Sequence, residues 1–147
     1  MKNYQKTKFV YRDRLWSGAD MVATGVASFG HLGGIHYQNL AHIERYEEAL
    51  EEGQSPLFRA LMTTDDERFL RELILQWKLG QVHLDYFREK FGEDVETRFE
   101  GVLTNLEKRD FLERGQDDLR LTREGLLQVD TLLHDFFLEK HQGTRYA

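Results

Sequence analysis

The chain has 147 residues, of which 40% are hydrophobic and 31% are charged, a composition typical of a folded globular protein rather than a disordered or membrane-spanning one. Its formal charge of −6 disfavours a general nucleic-acid binder, because an acidic protein repels the phosphate backbone. The chain has no cysteine, which excludes disulfides, thiolate zinc sites, a cysteine nucleophile and a cysteine-ligated iron–sulfur cluster held by this chain.

The first 38 residues are rich in glycine and predict short strands joined by tight loops. Five of the 12 glycines lie before residue 39, with short apolar or aromatic runs between them. These runs predict a strand near 20–24, a loop near 25–33 and a short strand near 34–38. The segment 25–34 lacks the Gly-x-Gly-x-x-Gly spacing of a phosphate-binding loop, so a strand-to-loop turn is the simpler interpretation.

From Asn39 the spacing of apolar residues becomes helical. Asn39 is a candidate N-cap for a helix that ends before Gly53 and Pro56. A second helix is predicted from the capping-box pattern of Thr64 and Glu67, and Gly80 ends it. The predicted apolar positions of the two helices are Leu40, Ile43, Tyr46 and Leu50 in the first, and Phe69, Leu70, Leu73, Ile74 and Trp77 in the second.

The remainder of the chain predicts two helices, a hairpin and a last helix. The helices cover 82–91 and 94–108, the hairpin covers 111–121, and Thr122 caps a helix that continues to Phe137. This order is typical of a winged-helix-like module. The aromatic side chains spaced along the helices are predicted to lie in its core; they are Phe69, Trp77, Phe87, Phe91 and Phe99.

The whole chain is therefore predicted to have a mostly helical α+β fold. We divide it into a β-rich piece over 1–38, a helical connector over 39–80 and a winged-helix-like domain over 81–147. No apolar run is long enough to span a membrane, and the N-terminal six residues lack the apolar core of a signal peptide. A cytoplasmic location is the expectation.

A winged-helix-like order suggests DNA binding, but the charges oppose it. The recognition-helix position falls in 93–109, which holds five acidic residues against three basic ones. That is the wrong sign for a helix in the major groove. Nucleic acid is therefore an unlikely partner. A free-standing winged-helix-like module that binds a protein or nucleic acid, without catalysis, stays open as the alternative function.

No catalytic residue or metal ligand can be assigned from spacing. No histidine pair has the helical spacing of a metalloprotease site, and no Ser-His-Asp order has a nucleophile-elbow signature. His31 and His36 flank a glycine pair and can converge, although such a pair is more often structural. The acidic residues on the first predicted helix are typical of a solvated face.

Four stretches resemble the radical S-adenosylmethionine (SAM) oxygen-independent coproporphyrinogen III oxidase-like family, which includes heme-utilisation and heme-chaperone relatives. Residues 15–30, which read Leu-Trp-Ser-Gly-Ala-Asp-Met-Val-Ala-Thr-Gly-Val-Ala-Ser-Phe-Gly, resemble the last-strand region of that family's barrel. His36-Tyr37-Gln38-Asn39 and Arg59-Ala60-Leu61 also match the family pattern. Residues 64–137 resemble its C-terminal accessory domain.

The resemblance implies that this chain is a C-terminal fragment of a protein acting on a tetrapyrrole, by oxidative decarboxylation in heme biosynthesis or by heme-utilisation chemistry. In the parent family a Cys-x-x-x-Cys-x-x-Cys loop binds an iron–sulfur cluster, and the cluster reduces SAM; this chain lacks that loop. The chain alone is therefore expected to be inactive, with the N-terminal radical SAM barrel as its partner and a barrel edge at its start. Val26, Ala27, Ser28 and Phe29 are implied to border the SAM pocket.

Heme and propionate contacts are also implied. The heme-chaperone branch carries His-Asn-x-x-Tyr-Trp where this chain has residues 11–16, so Tyr11 replaces a possible heme-ligating histidine. Tyrosine ligates ferric heme in some proteins, which leaves heme binding open. Arg12, Arg14 and Arg59 are candidate partners for propionates, because a guanidinium matches a carboxylate with two hydrogen bonds. A solvated surface arginine is the alternative interpretation for each.

Overall fold

The computed structural model describes residues 10–137, and these form two compact units. One unit comprises residues 18–68, here called the sheet unit. The other comprises residues 10–17 together with 69–137, here called the winged-helix unit. No helix among the described residues has both the length and the apolar character needed to cross a membrane. The N-terminal six residues, on which the signal-peptide argument rests, lie outside the described residues.

Eight α-helices and six strands are defined within residues 10–137. In chain order they are α1 (Val10–Trp16), β1 (Phe29–Leu32), β2 (Ile35–Asn39), α2 (Ile43–Glu51), β3 (Leu57–Met62), α3 (Asp65–Lys78), β4 (Gln81–His83), α4 (Leu84–Phe91), α5 (Val95–Arg98), α6 (Glu100–Lys108), β5 (Leu112–Arg114), β6 (Asp118–Leu121), α7 (Arg123–Leu127) and α8 (Val129–Leu132). A 3₁₀ turn over Leu133–Phe136 follows. The predicted α+β class is confirmed.

The sheet unit is built on an antiparallel sheet in the order β1-β2-β3. Gly33 and Gly34 form the two-residue turn between β1 and β2, and both have positive φ, at 56° and 82°. Such turns match the twist of the strands they join, and glycine adopts them without a Cβ penalty. The strand predicted near 34–38 is confirmed as β2. The loop predicted over 25–33 extends too far, because Phe29–Leu32, just before the glycine pair, form β1.

Three other expectations for this unit are corrected. The strand predicted near 20–24 is only an isolated bridge between Met21 and His31. Asn39 ends β2, and α2 begins four residues later at Ile43. β3 was not predicted, because Leu, Ala, Met and Arg favour helices and the segment shows no alternation of apolar and polar residues. Its antiparallel pairing with β2 overrides that propensity.

The winged-helix unit follows the predicted order. Within it α3 is followed by β4, α4, α5, α6 and the hairpin of β5 and β6, and the sheet has the order β4-β6-β5. The predicted capping box is confirmed: the Thr64 N–H donates to Glu67 Oε2 at 3.0 Å, and the Glu67 N–H donates to Thr64 Oγ1 at 3.2 Å. The predicted helix over 94–108 is split at Phe99, and the last helix is split into α7, α8 and the 3₁₀ turn.

The hydrophobic core of the described chain lies in the winged-helix unit. All fully buried apolar side chains among residues 10–137 fall between Phe69 and Phe136. The predicted aromatic stripe is central to this core: the Phe69 and Phe87 rings meet edge to face at 5.0 Å, and the Trp77 and Phe136 rings lie 5.6 Å apart. The division of the chain into 1–38, 39–80 and 81–147 stays a prediction.

Candidate functional site

The segment from Gly25 to Phe29 makes a tight turn into β1. Gly25 and Ala27 both have positive φ, at 98° and 57°. The Ala27 N–H donates to the Leu40 carbonyl at 2.8 Å, and the Asn39 N–H donates to the Ser28 carbonyl at 2.9 Å. These bonds fix the segment beside the end of β2. Ala27 carries a side chain in a backbone region that L-residues rarely adopt, which marks the turn as a constrained element.

Asn39 holds this turn from within the sheet unit. Its side chain is buried and donates to the Gly25 carbonyl at 3.1 Å and to Ser28 Oγ at 3.3 Å. Ser28 Oγ in turn donates to the Gly25 carbonyl at 2.6 Å. A buried amide with these partners both satisfies its own polar groups and restricts the turn. Sequence reasoning placed Asn39 at a helix cap and missed this role.

Two tyrosines complete the support of the turn. The Ala23 N–H donates to the hydroxyl of Tyr37 at 2.8 Å, and the Gly25 N–H donates to the hydroxyl of Tyr46 at 3.1 Å. A Cβ on Gly30 would overlap the Tyr37 ring, so glycine is needed for that close approach. Tyr37 and Tyr46 were not predicted as site residues; Tyr37 was noted within the family pattern, and Tyr46 only as an apolar helix position.

One face of the sheet carries an open concavity of about 490 Å³. Two rows of side chains that run across the three strands define this face. They are Gly30, Tyr37 and Ala60 in one row, and Leu32, Ile35 and Met62 in the other. The concavity is lined by Ala23, Thr24, Leu32, Ile35, Tyr37, Asn39, Tyr46, Ser55, Pro56, Leu57 and Ala60. Its walls are mainly apolar, with hydroxyl and amide groups beside the constrained turn.

The opposite face of the sheet carries Phe29. The register aligns Phe29 on β1 with Gln38 on β2 and Arg59 on β3, so their side chains lie in one row on that face. Arg59 Nε donates to Gln38 Oε1 at 2.9 Å. The Phe29 and His36 rings lie 6.2 Å apart, and Phe29 is 48% exposed. Of the predicted pocket residues, Phe29 therefore presents an apolar surface.

The other two candidate arginines lie on α1, in the winged-helix unit. Arg12 lies over the Trp16 ring at 5.5 Å and pairs with Asp13 at 3.7 Å, and Arg14 is exposed. Tyr11 is 58% exposed. Of the three candidate arginines, Arg59 alone lies in the unit that contains the predicted SAM segment.

A metal centre finds no support in the described residues. His31 and His36 are cross-strand neighbours with ring centroids 5.9 Å apart, as their spacing suggested. No group of three His, Asp or Glu side chains among residues 10–137 is arranged to hold a metal ion. The chain also lacks the thiolates that a cysteine-ligated cluster requires, so its residues do not fit that cluster.

The predicted recognition-helix region is occupied by internal ion pairs. Arg114 on β5 contacts Glu96 at 3.2 Å, Glu100 at 3.0 Å and Glu107 at 3.0 Å. The hydrogen bond from Arg114 lowers the pKa of Glu100, and the three carboxylates raise the pKa of Arg114. Arg98 pairs with Glu93 at 2.7 Å. The charges of Arg98 and Arg114 are thus balanced by carboxylates within the unit.

The fold is similar to part of a solved structure. The solved structure of HemN, the coproporphyrinogen III oxidase of Escherichia coli and a radical SAM enzyme, matches with a TM-score of 0.65. The match covers 80% of this chain and 28% of that structure, at 18% sequence identity. At this identity the likeness establishes the fold alone.

Sequence comparison identifies the family. The HemN C-terminal domain family matches residues 63–127. Oxygen-independent coproporphyrinogen III oxidase is 28% identical to 78% of this chain in Helicobacter pylori and 30% identical to 76% of it in Pseudomonas aeruginosa. The heme chaperone HemW of Bacillus subtilis is 25% identical to 76% of it. The resemblance to the radical SAM oxygen-independent coproporphyrinogen III oxidase-like family is confirmed, with residues 63–127 matching the HemN C-terminal domain.

The chain spans only part of these proteins. Its matches cover 26% of the Helicobacter pylori protein, 22% of the Pseudomonas aeruginosa protein and 30% of HemW. An alignment over three quarters of this chain is longer than the stretch 69–147 that follows the sheet unit, so it also includes much of the sheet unit. The similarity is therefore not limited to the winged-helix unit.

Proposed function

We propose that this chain supplies the C-terminal region of a radical SAM protein of the coproporphyrinogen III oxidase type, which acts on a tetrapyrrole. The observation that carries the proposal is that similarity to the curated relatives extends through both units. The reaction is oxidative decarboxylation in heme biosynthesis or a heme-utilisation reaction. The relatives named as oxidases favour the first.

In this proposal the sheet unit borders the cofactor and substrate sites. The residues nearest to SAM are Val26, Ala27, Ser28 and Phe29, as the family resemblance implies. Their geometry fits that role, because Asn39 and Tyr46 hold the turn and Phe29 offers an apolar surface. SAM and a reduced iron–sulfur cluster supply a radical when bound to the complete protein. The cluster ligands must come from outside this chain, because it contains no cysteine.

The chain by itself is expected to be inactive, and its partner is the N-terminal radical SAM barrel. A chimera tests this directly. In a characterised oxygen-independent coproporphyrinogen III oxidase, the segment that aligns with residues 18–137 is replaced by those residues. We expect the chimera to retain its cluster, to decarboxylate coproporphyrinogen III anaerobically and to support growth of a strain that lacks the oxidase.

A second chimera carries Asn39→Ala, which removes the side chain that holds the Gly25–Ser28 turn. We expect a higher KM for SAM with the cluster content unchanged. A folded chimera that carries its cluster but neither decarboxylates nor binds SAM contradicts the proposal.

The alternative is a free-standing winged-helix-like module without catalysis. The observation that favours it is that the winged-helix unit contains a complete core of its own. The neutralised surface around Arg114 makes a protein a better partner for it than a nucleic acid. A cytoplasmic location remains part of both proposals.

A further inference from the structure

A flat surface with both apolar and cationic character lies on the Phe29 face of the sheet. We define this surface, the Arg59 face, by two cross-strand rows: Phe29, Gln38 and Arg59 in one, and His31, His36 and Leu61 in the other. Neighbouring strands are about 4.8 Å apart and the two rows about 7 Å apart. The outermost side-chain positions are therefore roughly 10 Å by 7 Å apart. His31 is buried, at 3% exposure, so the open part of the face consists of the Phe29 row together with His36 and Leu61.

The apolar part of this face is open to solvent. Phe29 is 48% exposed and Leu61 is 63% exposed, on the two outer strands. The His36 ring lies between them on β2, at 6.2 Å from the Phe29 ring. Exposed apolar side chains grouped on one face of a sheet are typical of a binding surface, and a flat ring covers such a surface most completely.

Arg59 supplies a positive charge at one end of this face. The Arg59 Nε donates a hydrogen bond to Gln38 Oε1 at 2.9 Å, and the guanidinium lies over the Phe58 ring at 5.7 Å. No carboxylate among residues 10–137 forms an ion pair with Arg59. Because Nε is occupied, the guanidinium is oriented while its two terminal nitrogens stay available, and this pair of donors matches the two oxygens of a carboxylate.

Gln38 is the residue that orients Arg59. Its amide oxygen accepts from Arg59 and its amide nitrogen lies 3.5 Å from the Ala27 carbonyl, in the constrained turn. The neutral amide fixes the guanidinium without cancelling its charge, whereas a glutamate at this position would cancel it. The arrangement thus retains a cation next to an apolar surface.

We propose that the Arg59 face binds the ring of a carboxylate-bearing tetrapyrrole, with one propionate held by Arg59. The inference rests on the proposed function for the ligand class, and on the register, exposure and charge of this face for the site. Phe29 and Leu61 contact the ring, and Gln38 acts as a positioning residue. Of the three candidate arginines, this assigns the propionate contact to Arg59.

Direct binding to the full chain tests the site without any catalysis. Coproporphyrin III is titrated into the protein at fixed ionic strength, and the Soret absorbance and porphyrin fluorescence are followed. We expect saturable binding that Arg59→Gln weakens by about tenfold, since a hydrogen-bonded ion pair is removed. Gln38→Glu should weaken it similarly, although Arg59 is still present. Arg59→Lys should fall between, because it keeps the charge and loses the paired donors.

The matched control is Arg45→Gln, which removes an exposed arginine on α2 of the same unit. Its affinity for coproporphyrin III should equal that of the unmodified chain. A tetracationic N-methylpyridyl porphyrin provides the second control, because Arg59→Gln should not weaken its binding. Absence of saturable coproporphyrin binding overturns the inference. So does an equal loss from Arg45→Gln and Arg59→Gln, because that result shows attraction by net charge alone.

The chimera separates this inference from the proposed function. If the chimera is active and Arg59→Gln raises KM for coproporphyrinogen with little change in kcat, both are supported. An active chimera whose KM is indifferent to Arg59→Gln overturns the Arg59 face and leaves the proposed function in place. An inactive chimera, combined with Arg59-dependent binding of coproporphyrin to the chain, contradicts the proposed function and supports the site.

Discussion

The two units of this chain differ most in where their apolar side chains lie. In the winged-helix unit, side chains such as Leu73, Phe87 and Leu103 are completely buried. In the sheet unit, large apolar side chains on all three strands are exposed, and all six residues of β3 are exposed. Most of the exposed large apolar residues between 10 and 137 belong to the sheet unit.

This difference indicates two sources of structural order. The winged-helix unit is stabilised by apolar burial, the dominant favourable contribution to folding. The sheet unit depends on strand pairing, on the Gly33–Gly34 turn and on partly buried hydrogen bonds of Asn39, Tyr37 and Tyr46. A unit with little core and much exposed apolar surface suits contacts with other molecules, which agrees with its proposed place beside a substrate.

The largest expected effect is the loss of a core ring from the winged-helix unit. Phe87→Ala should lower the free energy of unfolding by about 3–5 kcal/mol, because Phe87 is fully buried and packs on Phe69 at 5.0 Å. Both tryptophans, Trp16 and Trp77, belong to this unit. Urea unfolding followed by tryptophan fluorescence therefore measures its stability separately.

The matched control is Phe58→Ala in the sheet unit. Phe58 is 59% exposed, so its removal should change stability by less than about 0.5 kcal/mol. Amide exchange over residues 18–68 measures the effect of Phe58→Ala on its own unit. A loss there as large as that from Phe87→Ala would show that the sheet unit also has a cooperative core, contrary to the difference described above.

A second prediction concerns the packing that orders the sheet unit. Gly30→Ala should destabilise it by about 2 kcal/mol, because the new Cβ displaces the Tyr37 ring and with it the hydrogen bond from Ala23. Amide exchange over residues 18–68 should become roughly 30-fold faster, as follows from that free energy.

Gly101→Ala, in the winged-helix unit, is the control for this prediction. The space around Gly101 on α6 is open, so alanine should stabilise the helix by about 0.5–1 kcal/mol. If Gly30→Ala leaves exchange in the sheet unit unchanged, Tyr37 does not order that unit.

The difference between the two units also explains which elements could be predicted from sequence. The capping box of Thr64 and Glu67 and the apolar stripe behind it use local rules, and α3 forms where those rules place it. β3 could not be predicted, because its side chains have no buried face to impose alternation and 17 residues separate it from its pairing partner β2. The glycine pair Gly33–Gly34 is a hairpin signal in the sequence, and in the structure it joins β1 to β2 rather than ending a loop.

The candidate site was predictable only in part. Resemblance to a family identified Phe29 and Arg59, but neither spacing nor composition placed them in one row of a sheet. To place the two residues in one row, the register of β1, β2 and β3 must be known, and β3 is not predicted from the sequence. The role of Asn39 was equally hidden, because an asparagine before a helical pattern is typical of an N-cap, and only the turn at Gly25 shows what its amide binds.

The smallest expected effect compares the two helix caps. Asp94 caps α5 by accepting from the Thr97 N–H at 2.8 Å, whereas His42 makes no side-chain cap bond on α2. Asp94→Ala should cost about 1 kcal/mol and His42→Ala much less. The Thr97 N–H and then Arg88 lower the pKa of Asp94. Its contribution is therefore complete above the ordinary aspartate pKa and is lost as pH falls toward the lowered value. In urea unfolding at decreasing pH, the difference between the unmodified chain and Asp94→Ala should shrink; a constant difference would contradict this account.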